Sequence, residues 1–281
     1  KYYLSERSQI IQEINLTTLT VSNVTDGGFY VSSYGNYGHL MFAYNGSIYL
    51  YGGYINKTRL DSYNPSTDTW TLDITTSGTA PEFYRGGYCV DGNTLYVCGG
   101  YYSDNVTTLD LTTMTWTTID TTLGAVRVTP FFVYNNRLYR YGGVVGNMAG
   151  RSQHMYYLDL SNPGAGWTSM LITDGGGVHD PNNLRTGGGS WFGGAPRGAQ
   201  GVAVKDGKMY YVGGWDEYFS AYTDVLHYID LDNGHVVHEI QPGAGWKNGS
   251  HYRHTHFFIG DELHLLFGGT SGNNGIVGVT N

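Results

Sequence analysis

Five pairs of adjacent glycines, each closing a short apolar run, constrain this chain more than any other feature. They are Gly52-Gly53, Gly99-Gly100, Gly142-Gly143, Gly213-Gly214 and Gly268-Gly269. The runs before them are Ile48 to Tyr51, Leu95 to Cys98, Leu138 to Tyr141, Met209 to Val212 and Leu263 to Phe267. A turn signal precedes each run: Asn45-Gly46, Asp91-Gly92, Asn135-Asn136, Asp206-Gly207 and Gly260-Asp261. Asn, Asp and Gly tolerate the positive φ that a tight hairpin turn needs, so each unit reads as two antiparallel strands. Successive pairs lie 43 to 71 residues apart. A supersecondary unit recurring at that period means a repeat architecture, in which neighbouring copies bury one another's faces.

A second pattern follows each glycine pair. Tyr63 precedes Trp70, and Leu109 precedes Trp116 at the same spacing. Leu158 and Trp167 stand two residues further apart, and Ile229 is followed by Val236 in place of a tryptophan. Hairpin, glycine pair, then an aromatic or apolar residue and a downstream Trp resembles the kelch-repeat β-propeller family over nearly all the chain. The resemblance implies an all-β fold of four-stranded antiparallel blades around a central channel. The N-terminal stretch Ile14-Asn15-Leu16-Thr17-Thr18-Leu19-Thr20-Val21 aligns with Leu109 to Trp116, while the fifth repeat has only its first two strands and a short tail. The expectation is one domain over 1–281 with five blades, at about 38–77, 85–123, 127–174 and 197–242. The fifth is a composite of 253–281 with 10–26, in which N- and C-terminal strands pair to close the ring.

Charged residues are 14% and the net charge is -8, with no run of basic residues. That argues against a nucleic-acid partner. No stretch approaches the roughly 18 apolar residues of a membrane-spanning helix. Forty-three glycines reflect turn chemistry in the repeats. Six N-x-S/T acceptors occur, at Asn15, Asn23, Asn45, Asn56, Asn105 and Asn248; Pro65 disqualifies Asn64. Most fall at hairpin tips, loops or outer strands, where a sugar can project. The expected setting is therefore a secreted or surface glycoprotein, against the alternative of an unmodified Asn-rich chain. Cys89 and Cys98 flank one hairpin turn. They are at best diagonal neighbours, so two buried thiols are favoured, with a disulfide left open.

An arginine recurs 14 to 16 residues before four of the glycine pairs: Arg85, Arg127, Arg197 and Arg253, with Gly38 or His39 in the first repeat. Innermost strands line a propeller's channel, so these positions would ring one mouth of it. A guanidinium fork suits a carboxylate, sulfate or phosphate. The alternative is that each arginine holds loop carbonyls of the neighbouring blade. Aromatics crowd two kinds of segment: Tyr54, Tyr101, Tyr102, Trp215, Tyr218, Phe219 and Tyr222 after glycine pairs, and Trp191-Phe192 in a long Gly-rich insertion. Flat faces with few charges suit sugars or peptide side chains, or else fill gaps between blades.

His251, His254 and His256 cluster, yet no metal or other cofactor is assigned. Kelch-like copper-radical oxidases need a Tyr–Cys cross-link whose context is missing, and the Glu-x3-Asp-x3-His spacing of plant specifier proteins is absent. No P-loop, nucleophile elbow or zincin motif occurs. The favoured function is a binding or assembly module for a protein or glycan partner. An enzyme acting on sugars or small polar metabolites, and a structural subunit of an extracellular assembly, are the alternatives.

Overall fold

Left-handed turn residues make the hairpins. Asn45, Asn135, Asn136 and Asp206 take φ of 45°, 46°, 57° and 49°, and Gly46, Gly92, Gly207 and Gly260 take 77°, 54°, 70° and 59°. The computed structural model describes residues 2–5, 11–15, 18, 20–24, 38–100, 103–122, 126–127, 129–141, 144–145, 150–151, 155–170, 202–216, 221–235, 237–240 and 255–266. All its regular elements are strands apart from one turn of 3-10 helix, Pro163–Ala165, and no helix among them is long and apolar enough to cross a membrane.

Strands β1 (Tyr2–Ser5), β2 (Ile11–Asn15) and β3 (Thr20–Asn23) form a three-stranded sheet. Blade 1 is β4 (Leu40–Tyr44), β5 (Ser47–Tyr51), β6 (Leu60–Asn64) and β7 (Thr69–Thr71), in that order. Blade 2 repeats it with β8 (Gly87–Asp91), β9 (Thr94–Cys98), β10 (Val106–Asp110) and β11 (Thr115–Asp120). Next come β12 (Val126–Arg127), β13 (Phe131–Tyr134), β14 (Arg137–Tyr141), β15 (Val144–Val145), β16 (Gly150–Arg151), β17 (Met155–Asp159) and β18 (Trp167–Met170). Blade 3 is β13-β14-β17-β18, and β12-β15-β16 make a small sheet beyond its glycine pair. Blade 4 is β19 (Ala203–Lys205), β20 (Lys208–Asp216), β21 (Ala221–Asp230) and β22 (Val237–Ile240). A last hairpin joins β23 (Thr255–Ile259) to β24 (Glu262–Leu266).

Four four-stranded blades therefore stand among the described residues where five were expected. The N-terminal hairpin has the expected register: Ile14 faces Val21 as Leu109 faces Trp116. Its inner neighbour differs. β1 pairs with β2, with Tyr2 opposite Ile14, and so takes the place that the composite blade assigned to β24. A strand has two edges, and both edges of β2 are filled by β1 and β3. The N-terminal sheet leads into blade 1, where Val24 is buried with Ile48, Leu50 and Tyr63. The last hairpin docks on blade 4. Tyr210 meets Phe258 edge-on at 5.2 Å, and Lys205 Nζ donates to Gly260 O at 2.6 Å and to the Asp261 carboxylate. In blade 4 Ile229 pairs with Val237, one residue later than expected, because the turn holds left-handed Gly234 and His235.

The glycine pair is a close approach between blades. Gly53 N–H donates to Phe83 O at 2.8 Å, in the segment that enters blade 2. Gly52 has φ +72°, and a Cβ on it would stand 2.8 Å from both Phe83 O and Phe83 Cβ. No L-residue fits there without moving backbone. Strand residues that alternate between faces, with Phe83 of the linker, then seal the seams. Tyr51, Phe83, Leu95, Val97 and Trp116 close blades 1 and 2, and Tyr141, Met209 and Tyr211 close blades 3 and 4.

The turn after the third strand of each blade is an Asx turn. Asn64 accepts from Ser66 N–H at 2.9 Å, Asp110 from Thr112 N–H at 2.7 Å, Asp159 from Ser161 N–H at 2.9 Å and Asp230 from Asp232 N–H at 3.0 Å. The outer edge of blade 2 is covered: Trp116 N–H donates to Ser77 O, and Ser77 N–H to Met114 O, both at 2.9 Å. Cys89 faces Tyr96 and Gly87 faces Cys98, so the cysteines are diagonal neighbours on one face. Both are free thiols, and burial pushes the pKa of each upward.

Candidate functional site

Two kinds of segment meet at the glycine-pair end of blades 1 and 2: the loop after the pair and the linker entering the next blade. The loop carries Tyr54 and Ile55, 47% and 45% exposed, and the linker carries Tyr84 and Arg85. Tyr54 packs edge-on against buried Tyr84 at 5.4 Å between ring centres. The Arg85 guanidinium lies 5.2 Å from the centre of the Tyr84 ring. Arg85 itself is left-handed, with φ +56°, which turns the linker sharply into Gly86-Gly87. Its N–H donates to Gly38 O at 2.9 Å. Gly38 has φ +76°, and a Cβ on it would come within 2.7 Å of the Tyr84 ring and 2.9 Å of Arg85 Cγ. Gly38 and Arg85 hold equivalent repeat positions, so equivalent positions of adjacent blades touch.

Tyr84 was not singled out from the sequence. Its signal was present, because it stands directly before the recurring arginine. The result is a ledge of one exposed aromatic and one aliphatic side chain beside a guanidinium that is stacked on a buried ring. Such a surface can take an apolar anchor and an acidic group together.

Four blades of this order, with a hairpin, a glycine pair and back-reaching tryptophans, match one family. Kelch domain-containing protein 1 of Mus musculus is 28% identical over 272 residues, which is 84% of this chain and 63% of that protein. Its Homo sapiens counterpart is 28% identical over 274 residues, with the same shares covered. This chain belongs to the kelch-repeat β-propeller family. Kelch domain-containing protein 3 of Bos taurus is also similar, 32% identical over 128 residues, or 40% of this chain and 33% of that protein. The kelch chain thus spans less than two thirds of the length of these relatives. No family model matches it.

Of the other expected site positions of this kelch propeller, Arg127 and Trp215 lie on described strands. Arg127 is on β12 with its backbone opposite Val144, the residue after the third glycine pair, and Val144 in turn faces Arg151. Trp215 is on β20 opposite Tyr222, because β20 and β21 continue past their glycine pair with a register shift at Val212/Gly214. Arg197, Arg253, Tyr101, Trp191 and Asn248 lie outside the described residues, as do His251 and His254. His256 is on β23, opposite Leu265. Among the described residues no three His, Cys, Asp or Glu side chains are grouped to hold a metal.

The acceptor asparagines differ in setting. Asn23 and Asn45 are exposed, while Asn15, Asn56 and Asn105 are half-buried. Asn15 Oδ1 also accepts Thr18 N–H at 3.2 Å, which ties that side chain into its turn.

Proposed function

We propose that this kelch propeller is a binding module that holds a partner protein on the face formed by the post-glycine loops and blade-entry linkers. Arg85, Arg127, Arg197 and Arg253 are its proposed anion-gripping positions, and Tyr54 and Ile55 its apolar contacts. The observation that carries the reading is the pairing of exposed Tyr54 and Ile55 with Arg85 around one buried tyrosine. Exposed large apolar side chains grouped beside a charge are the composition of an interface rather than of ordinary surface. The contact between Gly38 and Arg85 supports a ring of equivalent positions around the channel mouth.

The test compares the wild type with Tyr54→Ala/Ile55→Ala and Arg85→Ala. Proteins retained from the source extract are quantified by mass spectrometry, and melting temperatures are measured alongside. The expected result is loss of the same retained protein by both variants, with melting nearly unchanged for the exposed pair. An unaltered set of retained proteins would remove this face from consideration. The extracellular, N-glycosylated state belongs to the same proposal, supported by exposed Asn23 and Asn45. A fall in intact mass on enzymatic deglycosylation of natively produced protein is expected, and no change would end it.

A further inference from the structure

The position two residues before the glycine pair faces the preceding blade. It is apolar in blades 1 and 2, where Leu50 and Val97 are 1% and 2% exposed, and blade 4 has buried Tyr211 there. Blade 3 has Arg140, only 8% exposed. Its Nε and Nη1 make no hydrogen bond. Two rings line it: Tyr156, directly across the strand pair, at 4.2 Å, and Trp167 at 5.7 Å. Ring faces stabilise the charge but give the N–H groups of Nε and Nη1 no acceptor. Burial lowers the arginine's pKa from its ordinary value, yet a guanidinium keeps its proton in proteins.

Among the described residues, each buried carboxylate is already hydrogen-bonded to another partner. Asp61 and Asp120 are the buried carboxylates among the described residues. Asp61 is in blade 1 and takes Arg59 Nε at 2.8 Å and Asp73 N–H at 2.7 Å. Asp120 is on the same seam as Arg140, but its Oδ2 accepts Trp167 Nε1 at 2.8 Å and its Oδ1 accepts Thr122 Oγ1 at 2.7 Å. The sequence that forms blade 3 is also basic: residues 126–170 hold Arg127, Arg137, Arg140 and Arg151 and the single acid Asp159, in a chain of net charge -8.

We propose that the seam between blades 2 and 3 is an oxyanion site, in which a small free anion of the phosphate or sulfate type accepts the in-plane N–H groups of Arg140. The anion supplies Nε and Nη1 with the acceptors that no described residue gives them. Arg140 is the last but one residue of β14, so the site lies at the end of the strand that meets the loop-bearing face. It is separate from the Tyr54–Arg85 ledge and does not depend on it.

Melting of the full chain tests this, in rising inorganic phosphate against sodium chloride of matched ionic strength. The wild type should show a saturable rise, about 5 °C at a hundredfold excess over the dissociation constant. Arg140→Met keeps the side chain's length and removes the charge. It should melt above the wild type without phosphate and ignore phosphate. Arg137→Met, which removes an exposed arginine on the same strand, should keep the wild-type response. A wild type that follows chloride alone overturns the proposal, as does a phosphate response that survives in Arg140→Met or vanishes in Arg137→Met. If Arg140→Met fails to fold, Arg140→Lys decides: a response at least tenfold weaker in concentration supports the site, and an unaltered one refutes it.

Discussion

The seams on either side of blade 2 use one device with different chemistry. In both, a tryptophan on the outer strand reaches back to the preceding blade. Trp116 Nε1 donates to the neutral Thr76 Oγ1 at 3.1 Å, whereas Trp167 Nε1 donates to the Asp120 carboxylate at 2.8 Å. The core of the first seam is apolar and aromatic, with Val97 where the second has Arg140. In the second, Trp167 engages the carboxylate with its edge and approaches the guanidinium with its face, so opposite charges share one ring without pairing. Apolar closure gives stability, and replacing a buried charge by an apolar group of similar volume often adds to it. The contrast teaches that a repeat can keep its backbone contacts while one seam carries a polar device the other lacks.

Removing one partner of each device's hydrogen bond should separate the seams most. Trp167→Phe takes the indole donor from the buried Asp120 carboxylate and should cost about 2–3 kcal/mol, while Thr76→Val leaves one indole N–H unpaired and should cost about 1 kcal/mol. Denaturant unfolding of both variants measures the difference. Equal costs would mean that Asp120 is resolvated when its tryptophan is lost, and the two seams would then be energetically alike.

A smaller effect distinguishes the blades through their Asx turns. Blade 1 uses Asn64, which does not titrate, and blades 2, 3 and 4 use Asp110, Asp159 and Asp230. Hydrogen bonds from Thr112, Ser161 and Asn233 respectively are the largest cause holding these carboxyls below their ordinary value. A carboxyl depressed in the folded state contributes stability that is present above its unfolded pKa and is lost as pH falls through the folded value. The loss therefore occurs below about pH 4. Asp110→Asn, Asp159→Asn and Asp230→Asn together should flatten the fall in melting temperature between pH 5 and 3, without changing it at pH 7 by more than a few degrees. A triple variant with the wild-type acid profile would assign acid sensitivity elsewhere.

The blades were legible because turn chemistry is local. Asn45-Gly46 and Asp91-Gly92 specify hairpins wherever they occur, and the pairing of Tyr63 with Trp70 follows from loop length. The place of β1 was not legible. Tyr2–Ser5 has neither glycine pair nor turn signal, so only the pairing with β2 reveals it. Part of the candidate site could be read, since the recurring arginine led to Arg85. Tyr84 was hidden because burial against a neighbouring blade is a tertiary fact. Arg140 was hidden for a different reason: recurrence marks what the repeats share, whereas its meaning lies in failing to match Leu50 and Val97.

The contact between Gly38 and Arg85 has an evolutionary corollary. A protein grown by duplication places each residue beside its own descendant in the next copy. A change that suits one repeat is then tested at once against a sibling of the same ancestry. Gly38 could not accept a side chain while Arg85 and Tyr84 occupy that space. Divergence at this contact is therefore pairwise: one copy must stay small for its neighbour to be large.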